Sequence, residues 1–152
     1  MKLELETRIV VENPYTKEIV TKMVCKNFGE EIGFMSPTFF PANGKFGLNI
    51  FKPTRKNPHS NECIDFINSN TLFFPNAHGL ILLEHFDKIF NFLPTQTWTF
   101  GLDHIHHLYF EKNSGHRFAF LRKTEKGYEY NFYPYYFIVD HDERILAFDI
   151  NQ

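Results

Sequence analysis

Arg117-Phe118-Ala119-Phe120-Leu121-Arg122-Lys123-Thr124-Glu125-Lys126-Gly127-Tyr128-Glu129-Tyr130-Asn131-Phe132-Tyr133 is the stretch on which the fold turns. Two runs rich in aromatic and large apolar residues flank Glu125-Lys126-Gly127. Such residues fit a pleated, half-buried surface, and a short polar group ending in Gly favours a tight hairpin turn. Strands are therefore expected over 116–124 and 127–133.

The pattern continues on both sides. Further strands are expected at 97–102, 105–112, 135–140 and 144–150. Turns are expected at Asn113-Ser114-Gly115 and His141-Asp142-Glu143. Sequential strands joined by short turns make an antiparallel β-meander. Upstream, Leu82, Leu83, Phe86, Ile89, Phe90 and Leu93 recur at helical spacing, so a main helix is expected over about 77–93, stopped by Pro94. A short helix is expected over 60–68, with Ser60 or Asn61 as its cap and Cys63, Ile64, Phe66 and Ile67 inward.

At the N-terminus, residues 2–12 alternate apolar and charged side chains, and the alternation slips near Thr7. Asn13-Pro14-Tyr15-Thr16 reads as a turn, and Ile19, Val20, Met23 and Val24 as a returning strand. Together they suggest an N-terminal β-hairpin. Residues 29–58 are rich in Gly and Pro, with short strands expected at 31–35 and 46–51. The class is α+β: a meander sheet, N-terminal hairpin plus C-terminal strands, packed against one main and one short helix.

Composition sets the outer bounds. The 152 residues are expected to form one domain, 1–152. Phe occurs 19 times, so rings should dominate the core. A net charge of −2 supplies no field for nucleic acid or an anionic membrane. The first residues alternate Leu with charge and form no secretory leader, and no apolar run is long enough to span a bilayer. Cys25 and Cys63 match no zinc or redox spacing. A cytoplasmic protein with reduced thiols is expected.

Four groups of residues could carry chemistry. His104-Ile105-His106 on a strand would put two imidazoles on one face, roughly 7 Å apart. Metal binding there lacks an identified third ligand, and packing histidines explain the pair as well. Asp140-His141-Asp142-Glu143 could hold Mg²⁺ or Ca²⁺, yet it lacks EF-hand spacing and reads more simply as a polar turn. Tyr128 through Phe137 holds more rings than one sheet face can bury, and Pro134 marks an edge or a break. Arg117, Arg122, Lys123 and Lys126 precede that run and faintly suggest a single-stranded nucleic-acid platform, although Arg122 and Lys123 point to opposite faces. Nucleophile elbows, phosphate loops and paired catalytic carboxylates do not occur as motifs.

By elimination, the expected function is a non-catalytic protein-binding domain, of the type of small inhibitors or toxin-neutralising immunity proteins. No cofactor is expected, and the expected partner is another protein. Its contact residues are Tyr133, Tyr135, Asp140, Asp142 and Glu143. The first alternative is a metal-dependent hydrolase using His104 and His106. The second is single-stranded nucleic-acid binding through the aromatic region.

Overall fold

The computed structural model describes residues 3–28, 44–54, 58–73, 98–101, 117–134 and 138–150. In chain order they form β1 (Leu3–Asn13), α1 (Lys17–Phe28), β2 (Gly44–Pro53), α2 (Ser60–Ser69), β3 (Trp98–Gly101), β4 (Arg117–Thr124), β5 (Gly127–Pro134) and β6 (Arg144–Asp149). The strands make one six-stranded sheet in the order β1-β2-β6-β3-β4-β5. All neighbours are antiparallel except β3 and β6, which are parallel. The class is α+β.

The expected hairpin 116–133 is present as β4 and β5, paired from Arg117–Pro134 to Thr124–Gly127. With β3 it forms a three-strand meander. β6 leaves that order and returns to the middle of the sheet, between β2 and β3. The strand expected at 135–140 is not continuous: Ile138 makes an isolated bridge to His59, and Val139 and Asp140 lie outside any strand. The expected main helix 77–93 and the expected strands 31–35 and 105–112 lie outside the described residues.

The N-terminal hairpin is corrected. β1 pairs with β2, and the segment read as its returning strand is helix α1. Ile19, Val20, Met23 and Val24 recur at one- and four-residue steps, which is a helical stripe as much as a strand. Local capping decides between them. Asn13 Oδ1 accepts from the Tyr15 N–H (2.9 Å), and Thr16 Oγ1 accepts from the Ile19 N–H (3.3 Å). Glu18 in the first turn and Lys26 in the last complement the helix dipole. Val20 is fully buried.

The slip near Thr7 is a β-bulge. Leu5 pairs with Phe51 and Thr7 with Ile50, leaving Glu6 as the extra residue. Past the bulge, Arg8 pairs with Asn49 and so shares the sheet face of Phe51.

On that face, Leu3, Phe51, Ile145 and Ala147 pack with Cys63, Ile64 and Ile67 of α2 and with Val139. Phe66 closes edge-on to Phe51, with ring centroids 5.4 Å apart. Each fully buried side chain of this size contributes about 1.5–3 kcal/mol. On the opposite face, Phe46, Leu48, Ile50, Leu146 and Phe148 are buried, with Phe46 and Phe148 edge-to-face at 4.9 Å. The β2–β6 pair is thus buried on both sides and forms the centre of the sheet. Where β3 ends, Phe73 takes over beside β6, exchanging two backbone hydrogen bonds with Phe148. The turn into Phe73 places Thr71 at φ 56°, a left-handed position that a β-branched residue disfavours.

Candidate functional site

The expected contact residues fall into two places. Asp140, Asp142 and Glu143 share the turn that leads into β6. Tyr133 lies on β5 opposite Phe118. Tyr135 lies outside the described residues. The strand order sets β5 three strands from β6, roughly 14 Å at the usual inter-strand spacing. The registers also align Arg144 with Thr99, Leu121 and Tyr130. The acidic turn therefore precedes the Tyr130 level, whereas Tyr133 lies beyond it, toward the other end of the sheet. Tyr133 and the acidic turn therefore lie at different levels of the sheet, three strands apart.

The turn is fixed by bonds in both directions. The Asp140 N–H donates to Glu143 Oε1 (2.7 Å), and the Glu143 N–H donates to the Asp140 carbonyl (3.0 Å). Arg144 Nη1 donates to the Glu143 carbonyl (3.1 Å). On the upstream side, the Val139 N–H donates to the Pro58 carbonyl (2.8 Å). Asp140, His141 and Asp142 are exposed, Ile138 is 60% exposed, and Glu143 is half-buried. Burial pushes the Glu143 carboxyl up to about 7; the Asp140 N–H opposes this, and the Asp140 carboxylate adds to it.

A second polar group crosses the face that carries α2. Arg8 on β1 holds Asp149 on β6 through two bonds, Nε to Oδ2 (3.0 Å) and Nη2 to Oδ1 (2.7 Å). Asn49 Nδ2 on the intervening β2 donates to Asp149 Oδ2 (2.6 Å) and to the Ala147 carbonyl (3.3 Å). The Asp149 side chain is only 6% exposed and that of Arg8 32%. The carboxylate raises the already high pKa of Arg8, chiefly through the hydrogen bond. Gly47 makes room for this group: a Cβ there would lie 2.6 Å from both Asp149 carboxylate oxygens. The geometry suits a structural clamp, because every named donor is directed at a carboxylate or carbonyl of the protein itself. Sequence reasoning missed it. Arg8 and Asp149 are 141 residues apart, and Gly47 within a buried strand is the one local hint.

His104 and His106 lie outside the described residues. Among the described residues, no group of three or more His, Cys, Asp or Glu side chains is arranged to hold a metal ion, the Asp140–Glu143 turn included. Arg117, Arg122 and Lys123 lie on β4 and Lys126 in the hairpin turn. Cys25 and Cys63 are free thiols, the second fully buried against the sheet. No described helix is long and apolar enough to cross a membrane. Compared with known proteins, the chain matches no family model, no curated protein and no solved structure.

Proposed function

We propose that the chain is a non-catalytic protein-binding domain, of the inhibitor or immunity type, that docks a basic partner through the Asp140–Glu143 turn. The supporting observation is the exposure of Ile138 beside Asp140 and Asp142 on a turn that its own hydrogen bonds, one of them to the Glu143 carboxyl, already fix. An apolar contact supplies affinity, nearby carboxylates steer a cationic partner, and a rigid turn loses little entropy on docking. Tyr133 and Tyr135 form the aromatic part of the same proposal. A partner that meets both Tyr133 and the turn must reach across three strands, which fits an ordinary interface of about 800 Å² per side.

The test is recovery of a partner from the source cell, followed by titration. Asp142→Lys should slow association and alter its salt dependence, while Tyr133→Ala should weaken binding by more than about 1 kcal/mol. Unchanged association in Asp142→Lys would remove the turn from the interface. If Tyr133→Ala destabilises the fold without altering affinity, Tyr133 is a packing residue. Elemental analysis addresses the hydrolase reading. One equivalent of metal, lost in a His104→Ala/His106→Ala variant, would replace the binding proposal.

A further inference from the structure

The two halves of β1 make different edges. The first half carries Glu4 and ends in the bulge at Glu6, and charges and bulges are devices that keep a sheet edge from pairing. The second half, Thr7–Asn13, keeps one unbroken register with β2, from Thr7 opposite Ile50 to Asn13 opposite Gly44. It holds Ile9-Val10-Val11, β-branched residues that fit a pleated strand well. Pro14, which has no N–H, ends it. β1 closes the strand order on this side, and among the described residues no strand pairs with its outer edge. Val10 stands at the middle of the straight half and is 44% exposed. Its neighbour on β2 is Gly47, which has no side chain to lie beside it, and a Cβ there would run into Arg8 and the Asp149 carboxylate. The clamp therefore keeps Val10 uncovered on its inner side.

We propose that the second half of β1 is a pairing surface for a second copy of the chain, the two strands running antiparallel about a two-fold axis at Val10. The sequence 7–13 is its own complement in that register. Val10 meets Val10, Ile9 meets Val11, Arg8 meets Glu12 and Thr7 meets Asn13. Each off-axis pair occurs twice, as a two-fold contact requires. The bulge bounds the segment at one end and Pro14 at the other, so every regular residue is used and neither irregularity enters.

Neighbouring registers are poorer. An axis at Ile9 sets Glu6 against Glu12 and draws in the bulge. An axis at Val11 sets Val10 against Glu12 and Arg8 against Pro14. Arg8 keeps both bonds to Asp149, and its guanidinium lies over Gly47, inward of the edge. The apolar pairs and the backbone ladder thus supply most of the contact, and charge selects the register. This surface is independent of the Asp140–Glu143 turn. Val10 is level with Gly47 and Asp149, at the end of β6 away from that turn.

Sedimentation velocity on the unaltered chain, from about 5 μM to about 500 μM, should show a monomer passing to a dimer, as expected of a small edge contact. Val10→Lys sets two ammonium groups on the axis and should weaken the dimer about tenfold or more. Cross-linking fixes the register. In a Cys25→Ser background, Val10→Cys should form a disulfide between copies, because its Cβ atoms meet at the axis. Glu12→Cys should not, because Arg8 stands opposite it. A chain that stays monomeric at about 500 μM overturns the proposal and leaves the edge to an extended segment of another protein. A dimer that Val10→Lys leaves intact, or that cross-links equally through both positions, also overturns it. If Val10→Lys does not fold, the two cysteine variants decide.

Discussion

β1 and β5 end the same strand order and are held in different ways. β5 follows β4 through the Glu125-Lys126 turn and is paired along its whole length. Its pairing is local, so little chain entropy is lost in closing it. β1 is tied to strands far away in sequence. Beyond its ladder with β2 it has two side-chain braces that pass over β2 to β6. Arg8 reaches Asp149, and the bulge residue Glu6 reaches Arg144 (2.6 Å). Those pairs are 141 and 138 residues apart. The bulge helps build the first brace, because it moves Arg8 onto the face of Asn49 and Asp149. The strand recruited from a distance, β1, is pinned by charge as well as by its ladder, whereas β5 is delivered by a hairpin turn and paired along its length.

The largest break in that contrast should come from Gly47→Val. The new side chain occupies the space of the Arg8–Asp149 pair and leaves a buried carboxylate without its partner. A loss of about 3–5 kcal/mol is expected in urea unfolding. Arg8→Ala removes one partner without adding bulk. Asn49 still donates to Asp149 and Arg8 is partly exposed, so a smaller loss of about 2 kcal/mol is expected. If either variant unfolds at the same urea midpoint as the parent, the clamp does not hold β1.

Glu143 sharpens the comparison at the entrance to β6. Its folded-state carboxyl is raised from 4.5 to about 7. The stability this favours is fully present below pH about 4.5 and is lost as the pH rises through about 7. Thermal unfolding followed across that window should show the loss in the parent and a flatter profile in Glu143→Gln. Parallel profiles would mean that the carboxyl is not the titrating group.

Smaller effects complete the series. Glu6→Ala deletes the more exposed brace and should lower stability by under about 1 kcal/mol, with the difference shrinking in high salt. Two glycines inserted between Glu125 and Lys126 lengthen a local loop, and about 0.6 kcal/mol is the expected loss. A loss as large as that of Gly47→Val would show that β5 depends on more than its hairpin.

The same division explains what could be read from the sequence. β4, β5 and β6 follow from apolar runs bounded by polar turns, and α2 from the spacing of Cys63, Ile64 and Ile67. The slip near Thr7 marked the bulge. α1 was misread because its apolar pairs satisfy two periodicities, and the deciding hydrogen bonds come from the short side chains of Asn13 and Thr16. The cap of α2, expected at Ser60 or Asn61, is one or two residues earlier, where His59 Nδ1 accepts from the Asn61 N–H and does the work usually given to Ser or Asn. The clamp left no local pattern, since its members lie on three strands from opposite ends of the chain. Of the expected contact residues, the acids do share a turn, but their distance from Tyr133 follows from β6 lying inside the sheet rather than after β5. No rule of neighbouring strands foresees that insertion.

The position of β6 also governs the order in which the protein can be completed during synthesis. β1 and β2 can pair early, and β3 to β5 can pair among themselves, but the strand that joins these two groups is made last. Until residues 144–149 leave the ribosome, the edges of β2 and β3 that will receive β6 lack their final partner, and both are open to mispairing. A nascent chain tethered so that only the residues before Arg144 are outside the ribosome should therefore hold two unjoined pieces of sheet, and emergence of residues 144–149 should convert them into one.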